Sequence, residues 1–409
     1  MSHQSPLSQW IETVSTMLPK LSRPQAKVLA YWSYGMVLAR SCGITLVCAA
    51  LALQVNSSEQ SLLQRLREWC YGAEDKKGKQ RRELDVSTCF GPLVQWILAW
   101  WPADEPRLAL ALDATTLKKR FTVLVISVVY RGCAIPVAWK VVGAEQKGAW
   151  EPHWMKLLEK LARSVPEHWT VLVMSDRGLY APWLYAKIVS LDWHPFMRIN
   201  KQGHFRPQGE AKFRSLGTAA PEVGSAWCGK VDCFSGETCR LQCTLLARWD
   251  QGYEEVWLIV TNVEPAQATA VWYGMRSWIE GGFKDTKRGG WGWHQTKMVD
   301  PERAERLWLA IAVATLWAVS VGGQVDANLP ASSLEALPQT HVARRSATSR
   351  SRPRMLSCFA RGIITIVGML IRGDGLVVGR FMPEPWPTMP SVPKKKSTKT
   401  KVHAAQEAA

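Results

Sequence analysis

Acidic residues are scarce in this sequence. Its 34 Asp and Glu side chains are outnumbered by 51 Lys and Arg side chains, which leaves a formal net charge of +17 over 409 residues. The surplus is spread through the chain and rises in basic clusters at residues 344–354 and 394–401. Such a charge predicts a polyanionic partner, most simply nucleic acid. An anionic membrane surface is the competing interpretation, and charge alone does not decide between them.

A secretory signal and a disulfide framework are also missing. Residues 1–20 lack the basic start, apolar centre and small-residue cleavage site of a signal peptide. The ten cysteines are scattered along the chain rather than grouped as in small disulfide-rich domains. We therefore expect a cytoplasmic protein with free thiols.

Closely paired cysteine motifs do not occur, although four cysteines fall within sixteen residues. Cys228, Cys233, Cys239 and Cys243 are separated by four, five and three residues. Common zinc sites instead use ligands in short pairs. Thiols buried on a β-hairpin are the favoured interpretation, and a zinc site is the alternative.

An apolar run that clearly predicts a membrane span is absent as well. The run at 42–55 is too short to cross a bilayer with confidence, and the stronger one at 301–321 carries charged residues in its first turns. We expect both to be buried helices of a globular protein, since 47% of all residues are hydrophobic.

The period of the apolar pattern predicts a mixed α/β fold. Residues 7–71 have helical periodicity, and a charged linker follows at 73–83. From Arg107 three β-type runs follow one another, then a helix, a strand, a helix and a strand. This order favours a mixed sheet over a doubly wound parallel one. Short strands with Gly-rich turns then fill residues 201–263.

Two aspartates stand at positions that favour chemistry over packing. Asp113 lies within the first predicted strand, where an ionised side chain is costly unless something neutralises it. Asp176 ends the fourth strand. The first and fourth strands are the natural central neighbours, so we expect the two carboxylates to meet at one edge of the sheet. Because close carboxylates repel, a hard cation is the usual remedy.

A third carboxylate belongs to a spaced motif downstream. Tyr273, Arg276, Glu280 and Lys287 are separated by two, three and six residues. On an α-helix the first three share one face, and Lys287 lies almost two turns further on or just past the helix end. Taken alone, the motif also fits an amphipathic helix with a charged solvent face.

The three carboxylates together provide the ligands for two-metal phosphoryl transfer. Each has a simpler alternative. Asp113 could be a turn residue, Asp176 the cap of a helix beginning near Ala181, and Glu280 a surface carboxylate. Their joint occurrence in this order on these elements favours the catalytic interpretation.

The sequence resembles the DDE transposases of bacterial insertion sequences, specifically the IS-four group with the Tyr-Arg-Glu-Lys signature. The resemblance covers roughly residues 107–321 and depends on the motifs LALDATT, MSDRG and YGMRSWIEGGFKDTK. It implies an RNase H-like catalytic domain with a β-strand insertion. Together with this resemblance, position, charge and composition give the predicted divisions: residues 1–83, a helical DNA-end-binding domain and linker; 84–200 and 266–323, the catalytic domain; 201–265, the insertion; and 324–409, a peripheral basic region whose last ~20 residues are disordered.

The resemblance also implies the site and its chemistry. Two Mg²⁺ or Mn²⁺ ions would be held by Asp113, Asp176 and Glu280. The reaction would be cut-and-paste transposition with strand nicking, a hairpin at the element end and strand transfer into target DNA. Tyr273 and the DNA-contacting cations Arg276 and Lys287 would hold phosphates.

Further DNA contacts follow from the same resemblance. A flipped base would stack on Trp257, in a Trp-Leu-apolar-apolar-Thr run, with Trp249 as the second candidate. From their positions directly after or near the ends of strands, and not from the resemblance, Arg177 and Arg198 are weaker DNA-contact candidates, for which an ordinary surface role is as good an interpretation. The partners would be terminal inverted repeats and target DNA, bound by a homodimer. A DNA-binding relative without cleavage activity and a metal-dependent nuclease on the same fold are the alternatives.

Overall fold

The computed structural model describes residues 5–77, 82–146, 150–328 and 356–387. The two basic clusters and the ~20 terminal residues expected to be disordered lie outside these ranges. Within them, helices surround one sheet of ten strands.

Five helices precede the sheet. Serine side chains begin two of them, because the hydroxyls of Ser5 and Ser58 accept hydrogen bonds from otherwise unpaired N–H groups of the first turn. Trp10 stacks on Trp317 at 4.3 Å, so these helices share a core with the rest of the protein. The helices are α1 (Pro6–Met17), α2 (Arg23–Ala39), α3 (Ile44–Ala52), α4 (Glu59–Trp69) and α5 (Phe90–Ala99).

The sheet has the order β3-β2-β1-β4-β5-β10-β9-β8-β6-β7. The first three strands are antiparallel neighbours, whereas β1, β4 and β5 run parallel. This confirms the mixed sheet and the pairing of the first strand with the fourth. The bounds are β1 (Arg107–Leu117), β2 (Phe121–Tyr130), β3 (Cys133–Gly143), β4 (Thr170–Ser175), β5 (His194–Arg198), β6 (His204–Pro207), β7 (Arg214–Ser215), β8 (Ala226–Cys233), β9 (Leu241–Arg248) and β10 (Trp257–Thr261).

The strands after β5 extend the same sheet. β10 pairs antiparallel with β5, and β9 and β8 follow it outward. The segment read from sequence as a β-rich insertion therefore continues the catalytic sheet beyond β5. This segment also returns the chain to the face of the sheet where the Tyr-Arg-Glu-Lys motif begins.

Helices cover both faces of the sheet. Helices α6 (Glu151–Ala162) and α7 (Pro182–Val189) connect β3 to β4 and β4 to β5. Helix α9 (Pro301–Val325) is long and apolar enough to cross a membrane by length and composition, but 89% of its most apolar window is buried inside the protein. It is a core helix, as its charged first turn predicts.

The peripheral position expected for the chain after residue 323 is wrong for helix α10 (Cys358–Arg372). This helix packs directly against α9. A Cβ on Gly322 would lie 1.7 Å from the Cys358 carbonyl oxygen, and one on Gly362 would lie 1.7 Å from the Ala318 carbonyl oxygen. Two glycines thus let the backbones touch. Apolar side chains of α10 such as Phe359 and Ile363 are buried as well, but hydropathy does not reveal the close backbone contact, because that contact depends on glycines.

We predict that Gly362→Ala lowers the free energy of unfolding by about 1–3 kcal/mol, because the methyl group overpacks a backbone contact. The matched control is Gly368→Ala on the same helix, where an added Cβ meets nothing within 4 Å. That change should be neutral or stabilise by up to about 1 kcal/mol through helix propensity. Urea unfolding measures both values, and equal values would contradict the close packing of α10 on α9.

Candidate active site

The register of two parallel strands brings the aspartates together. Leu112 of β1 pairs with Ser175 at the end of β4, so the next residues, Asp113 and Asp176, face each other across the strands. Because side chains alternate along a strand, Asp113 falls on the same face as Ala109 and Ala111. These small side chains belong to the apolar cluster beneath the signature motif.

Asp176 is not the cap of α7, which begins after Ala181. Its Oδ1 accepts a hydrogen bond from the Leu179 N–H at 3.0 Å, closing the turn that leaves β4. The other oxygen remains directed to the site. Asp113 is likewise not a turn residue, since it lies inside β1 and pairs with Val125 of β2.

The signature motif spans two kinds of helix, which differs from the single α-helix expected. Tyr273 and Arg276 lie on a 3-10 segment, Ala270–Ser277, and Glu280 lies on helix α8 (Trp278–Thr286). Gly282 of α8 permits close approach to the sheet, because a Cβ there would lie 2.9 Å from that of Ala134. Lys287 follows the helix as its C-cap residue, as the spacing predicted.

All three carboxylates converge on one guanidinium. The Arg276 side chain donates to Asp113 Oδ2 at 2.6 Å and to Glu280 Oε1 at 2.7 Å, and it lies 3.7 Å from Asp176 Oδ2. Its side chain is only 9% exposed. The three negative charges therefore share a single cation at the edge of the sheet.

Burial and crowding perturb the titration of the site. Burial is the main cause of a pKa of about 6 for Asp113; Arg276 and the Ala114 N–H lower this pKa, and the nearby Asp176 and Glu280 raise it. Burial works against charge on Arg276, but Tyr273 and the three carboxylates raise its pKa above the ordinary value. The site thus stabilises positive charge at its centre.

The donor set suits a hard divalent cation. The carboxylates of Asp113, Asp176 and Glu280 supply only oxygen ligands, and they keep 17%, 38% and 33% exposure, so solvent reaches them. Among the described residues, no three His, Cys, Asp or Glu side chains are already gathered as a complete metal site. Arg276 holds the central position, so metal binding requires this guanidinium to yield some of its contacts.

Tyr273 and Trp257 form an aromatic wall beside the carboxylates. Tyr273 is buried, and its ring meets that of Trp257 edge-on at a centroid distance of 5.2 Å. Burial raises the pKa of Tyr273, so its hydroxyl stays protonated. Trp257 is only 4% exposed, because Tyr253 stacks on it at 4.5 Å. The base-stacking candidate is therefore covered in this structure.

The remaining predicted cations differ in their surroundings. Arg177 and Arg198 both pair with Glu255, whose Oε2 lies 2.6 Å and 3.3 Å from their guanidinium nitrogens. Lys287 has no carboxylate partner among the residues described here, and partial burial lowers its pKa. Trp249, the second stacking candidate, donates its indole N–H to the Tyr253 carbonyl at 3.1 Å and so braces a turn.

Two residues near the site were not identified from sequence. Tyr253 and Glu255 lie between β9 and β10, in a segment without motif or periodicity. Only their contacts with Trp257, Arg177 and Arg198 reveal them, and sequence carries no signal for such contacts.

The cysteine-rich segment is not gathered as a zinc site. Cys228 and Cys233 lie on β8 and Cys243 on the neighbouring strand β9, while Cys239 lies on the turn between them. Cys228 and Cys239 are exposed and the other two are buried. The hairpin interpretation is confirmed for the two buried thiols only, since alternate strand positions point to opposite faces.

Comparison with known proteins assigns the family. A family model described as the transposase DDE domain matches residues 105–317. Among solved structures, the chain is similar to a piggyBac transposase in a synaptic complex with hairpin DNA, at a TM-score of 0.35 and 10% sequence identity, covering 77% of this chain and 76% of that one. No curated protein matches it. Because the family match spans more than half of the chain, the protein belongs to the transposase DDE domain family and is an enzyme that acts on DNA.

Proposed function

We propose that the protein is a cut-and-paste transposase of the IS-four group with an RNase H-like catalytic domain. The observation that carries this proposal is the convergence of Asp113, Asp176 and Glu280 within 3.7 Å of one buried guanidinium. Two strands and a helix that are distant in sequence supply these carboxylates. Their chemistry is that of the DDE reaction, which nicks DNA, forms a hairpin at the element end and transfers the strand into target DNA.

The three carboxylates would hold two Mg²⁺ or Mn²⁺ ions. When bound, such ions supply Lewis acidity and neutralise the charge that develops on the attacking and leaving oxygens. Asp113 is fixed for this role by its strand and by the Ala114 N–H, which donates to its Oδ1 at 2.7 Å. Asp176 is fixed by its turn, and Glu280 by a helix anchored on β3.

The basic residues of the motif would position DNA. Arg276 carries a planar fork suited to bidentate phosphate binding, and once it leaves the carboxylates it lies within the site to do so. Lys287, at the end of α8, supplies a second cation that has no carboxylate to neutralise it among the described residues.

The domain roles, the homodimer, the DNA partner and the localisation are part of the same proposal. Residues 1–83 would bind the terminal inverted repeats, and residues 84–200 and 266–323 would form the catalytic domain interrupted by 201–265. Transposition joins paired ends, so a homodimer on DNA is proposed. The net charge of +17 supports a DNA partner, and the free thiols support a cytoplasmic, nucleoid-associated protein in a bacterium.

We predict that Asp113→Asn, Asp176→Asn and Glu280→Gln each reduce cleavage by roughly 10³-fold, because several kcal/mol of charge stabilisation is lost. Binding to the same DNA should persist. A gel assay on DNA bearing the inverted repeats that flank the gene, with Mg²⁺, measures both. Asp192→Asn, at an exposed turn, is the control with an equal charge change. Cleavage retained by any of the three variants would exclude that residue from the site.

A second prediction concerns Arg276, which competes with metal for the same oxygens. Arg276→Gln should tighten Mn²⁺ binding roughly tenfold, or about 1.4 kcal/mol, because removing the guanidinium leaves the carboxylates uncompensated. Cleavage should nevertheless fall, since a phosphate contact is lost. Calorimetric titration without DNA measures the affinity. The control Arg303→Gln, which breaks an exposed pair with Asp75, should leave the Mn²⁺ affinity unchanged. An unchanged affinity in Arg276→Gln would show that the metal binds elsewhere.

A third prediction separates the steps of the reaction. Trp257→Leu should slow hairpin formation by about tenfold while affecting the first nick little, because base stacking on an aromatic ring contributes about 1–3 kcal/mol. Trp257→Phe keeps a ring and should retain most of the hairpin rate. Denaturing gels resolve nicked and hairpin products. An equal loss of both steps in Trp257→Leu would indicate damaged packing and contradict the stacking role.

A further inference from the structure

The turn between β9 and β10 has a defined shape. The Tyr253 N–H donates to the Asp250 carbonyl at 3.1 Å. Gly252, between these residues, has a φ of 89°, a backbone conformation that residues with a side chain rarely adopt. The Trp249 indole N–H reaches the Tyr253 carbonyl at 3.1 Å. These bonds present two neighbouring side chains, Tyr253 and Glu255, to the edge of the active site.

Tyr253 covers the ring that is proposed to receive a base. Its ring is nearly parallel to that of Trp257, with 27° between the planes and 4.5 Å between centroids. A nucleobase stacking on an aromatic side chain uses the same kind of contact. Trp257 also meets Tyr273 of the signature motif, so the covered ring belongs to the catalytic face.

Glu255 neutralises the two arginines beside that ring. A single carboxylate oxygen bridges Arg177, the residue after Asp176, and Arg198 at the end of β5. These residues and Lys201 line a cavity of about 140 Å³. Three cations around one carboxylate form a setting for a DNA phosphodiester, which carries the same single negative charge as Glu255 and can accept hydrogen bonds from the same guanidinium groups.

We propose that this turn is a built-in competitor for an extrahelical nucleotide of the DNA end. Tyr253 occupies the place of the base on Trp257, and Glu255 occupies the place of the phosphate on Arg177 and Arg198. The inference rests on the proposed function and adds a regulatory step to it. DNA engages the site only by displacing the turn.

The contacts of the turn suit displacement. Glu255 and Arg177 retain 42% and 50% side-chain exposure, and ion pairs with such exposure are weak because water screens them. One ring and one carboxylate must move, and both lie on a short connection between strands. Tyr253 is 8% exposed, so a base that stacks on Trp257 must replace a buried apolar contact. The sheet itself can remain unchanged.

The test measures binding of a short DNA duplex that carries one unpaired 2-aminopurine nucleotide near its end, with the full chain in EDTA. Glu255→Gln should bind this probe threefold to tenfold more tightly than Glu254→Gln does. Both variants remove one negative charge from the same turn, but Glu254 is exposed and makes none of the Glu255 contacts. Quenching of the 2-aminopurine fluorescence should accompany the tighter binding, because the base stacks on Trp257.

Tyr253→Ser provides a second arm, and it should deepen the quenching in molecules that remain folded by circular dichroism. Equal affinities of Glu255→Gln and Glu254→Gln would overturn the inference. If the wild type still cleaves DNA bearing its flanking repeats with Mg²⁺, the proposed function survives that result. Failure of every variant and of the wild type to bind the probe, together with absence of cleavage, would overturn both.

Discussion

The active site depends on the charge balance around Arg276. Three carboxylates lie within 3.7 Å of its guanidinium, and burial, together with the neighbouring Asp176 and Glu280, raises the pKa of Asp113 to about 6 even though Arg276 opposes the rise. Without a cation, such a group of acids would repel and take up protons. The Arg276 guanidinium keeps Asp113 and Glu280 in fixed positions. Arg276 belongs to the same sequence motif as Glu280. The site is therefore organised before any ligand arrives.

A second buried charge cluster supports the elements behind this site. Arg131, at the turn between β2 and β3, contacts Asp326 at the end of α9 at 3.2 Å and Glu384 of the C-terminal segment at 3.1 Å. All three side chains are at most 5% exposed, and Arg361 also lies 3.5 Å from Asp326, so the buried charges are compensated by several partners. Strand β3 is the strand that Gly282 of α8 contacts. The C-terminal segment thereby helps to fix the strand on which the Glu280 helix rests.

The parts of the fold and of the site that depend on periodicity and residue spacing could be predicted from the sequence. The β1–β4 pairing, the strand positions of Asp113 and Asp176 and the place of Lys287 beyond the helix all follow from local patterns, and the structure contains them. The 3-10 geometry at Tyr273 and Arg276 could not be predicted, because both helix types repeat at nearly the same spacing. The position of helix α10 differs from the peripheral one expected, because close backbone contact at Gly322 and Gly362 adds to the burial of its apolar face and spacing does not reveal such contact. Arg276 was assigned to phosphate alone, because spacing cannot show which partner a cation takes when no ligand is bound.

At both the centre and the edge of the site, a charged side chain of the protein occupies a position that a ligand can take. Arg276 supplies positive charge among the carboxylates, and Glu255 supplies negative charge between two arginines a short distance away. A metal ion can replace the Arg276 guanidinium, and a phosphate can replace the Glu255 carboxylate. Because Arg276 released by metal becomes a cation available to DNA, and DNA phosphates add negative charge near the metal ligands, the two exchanges favour each other. Under the proposed function, Arg276 and Glu255 hold charges of the site in internal pairs, and bound metal and DNA would replace these internal partners.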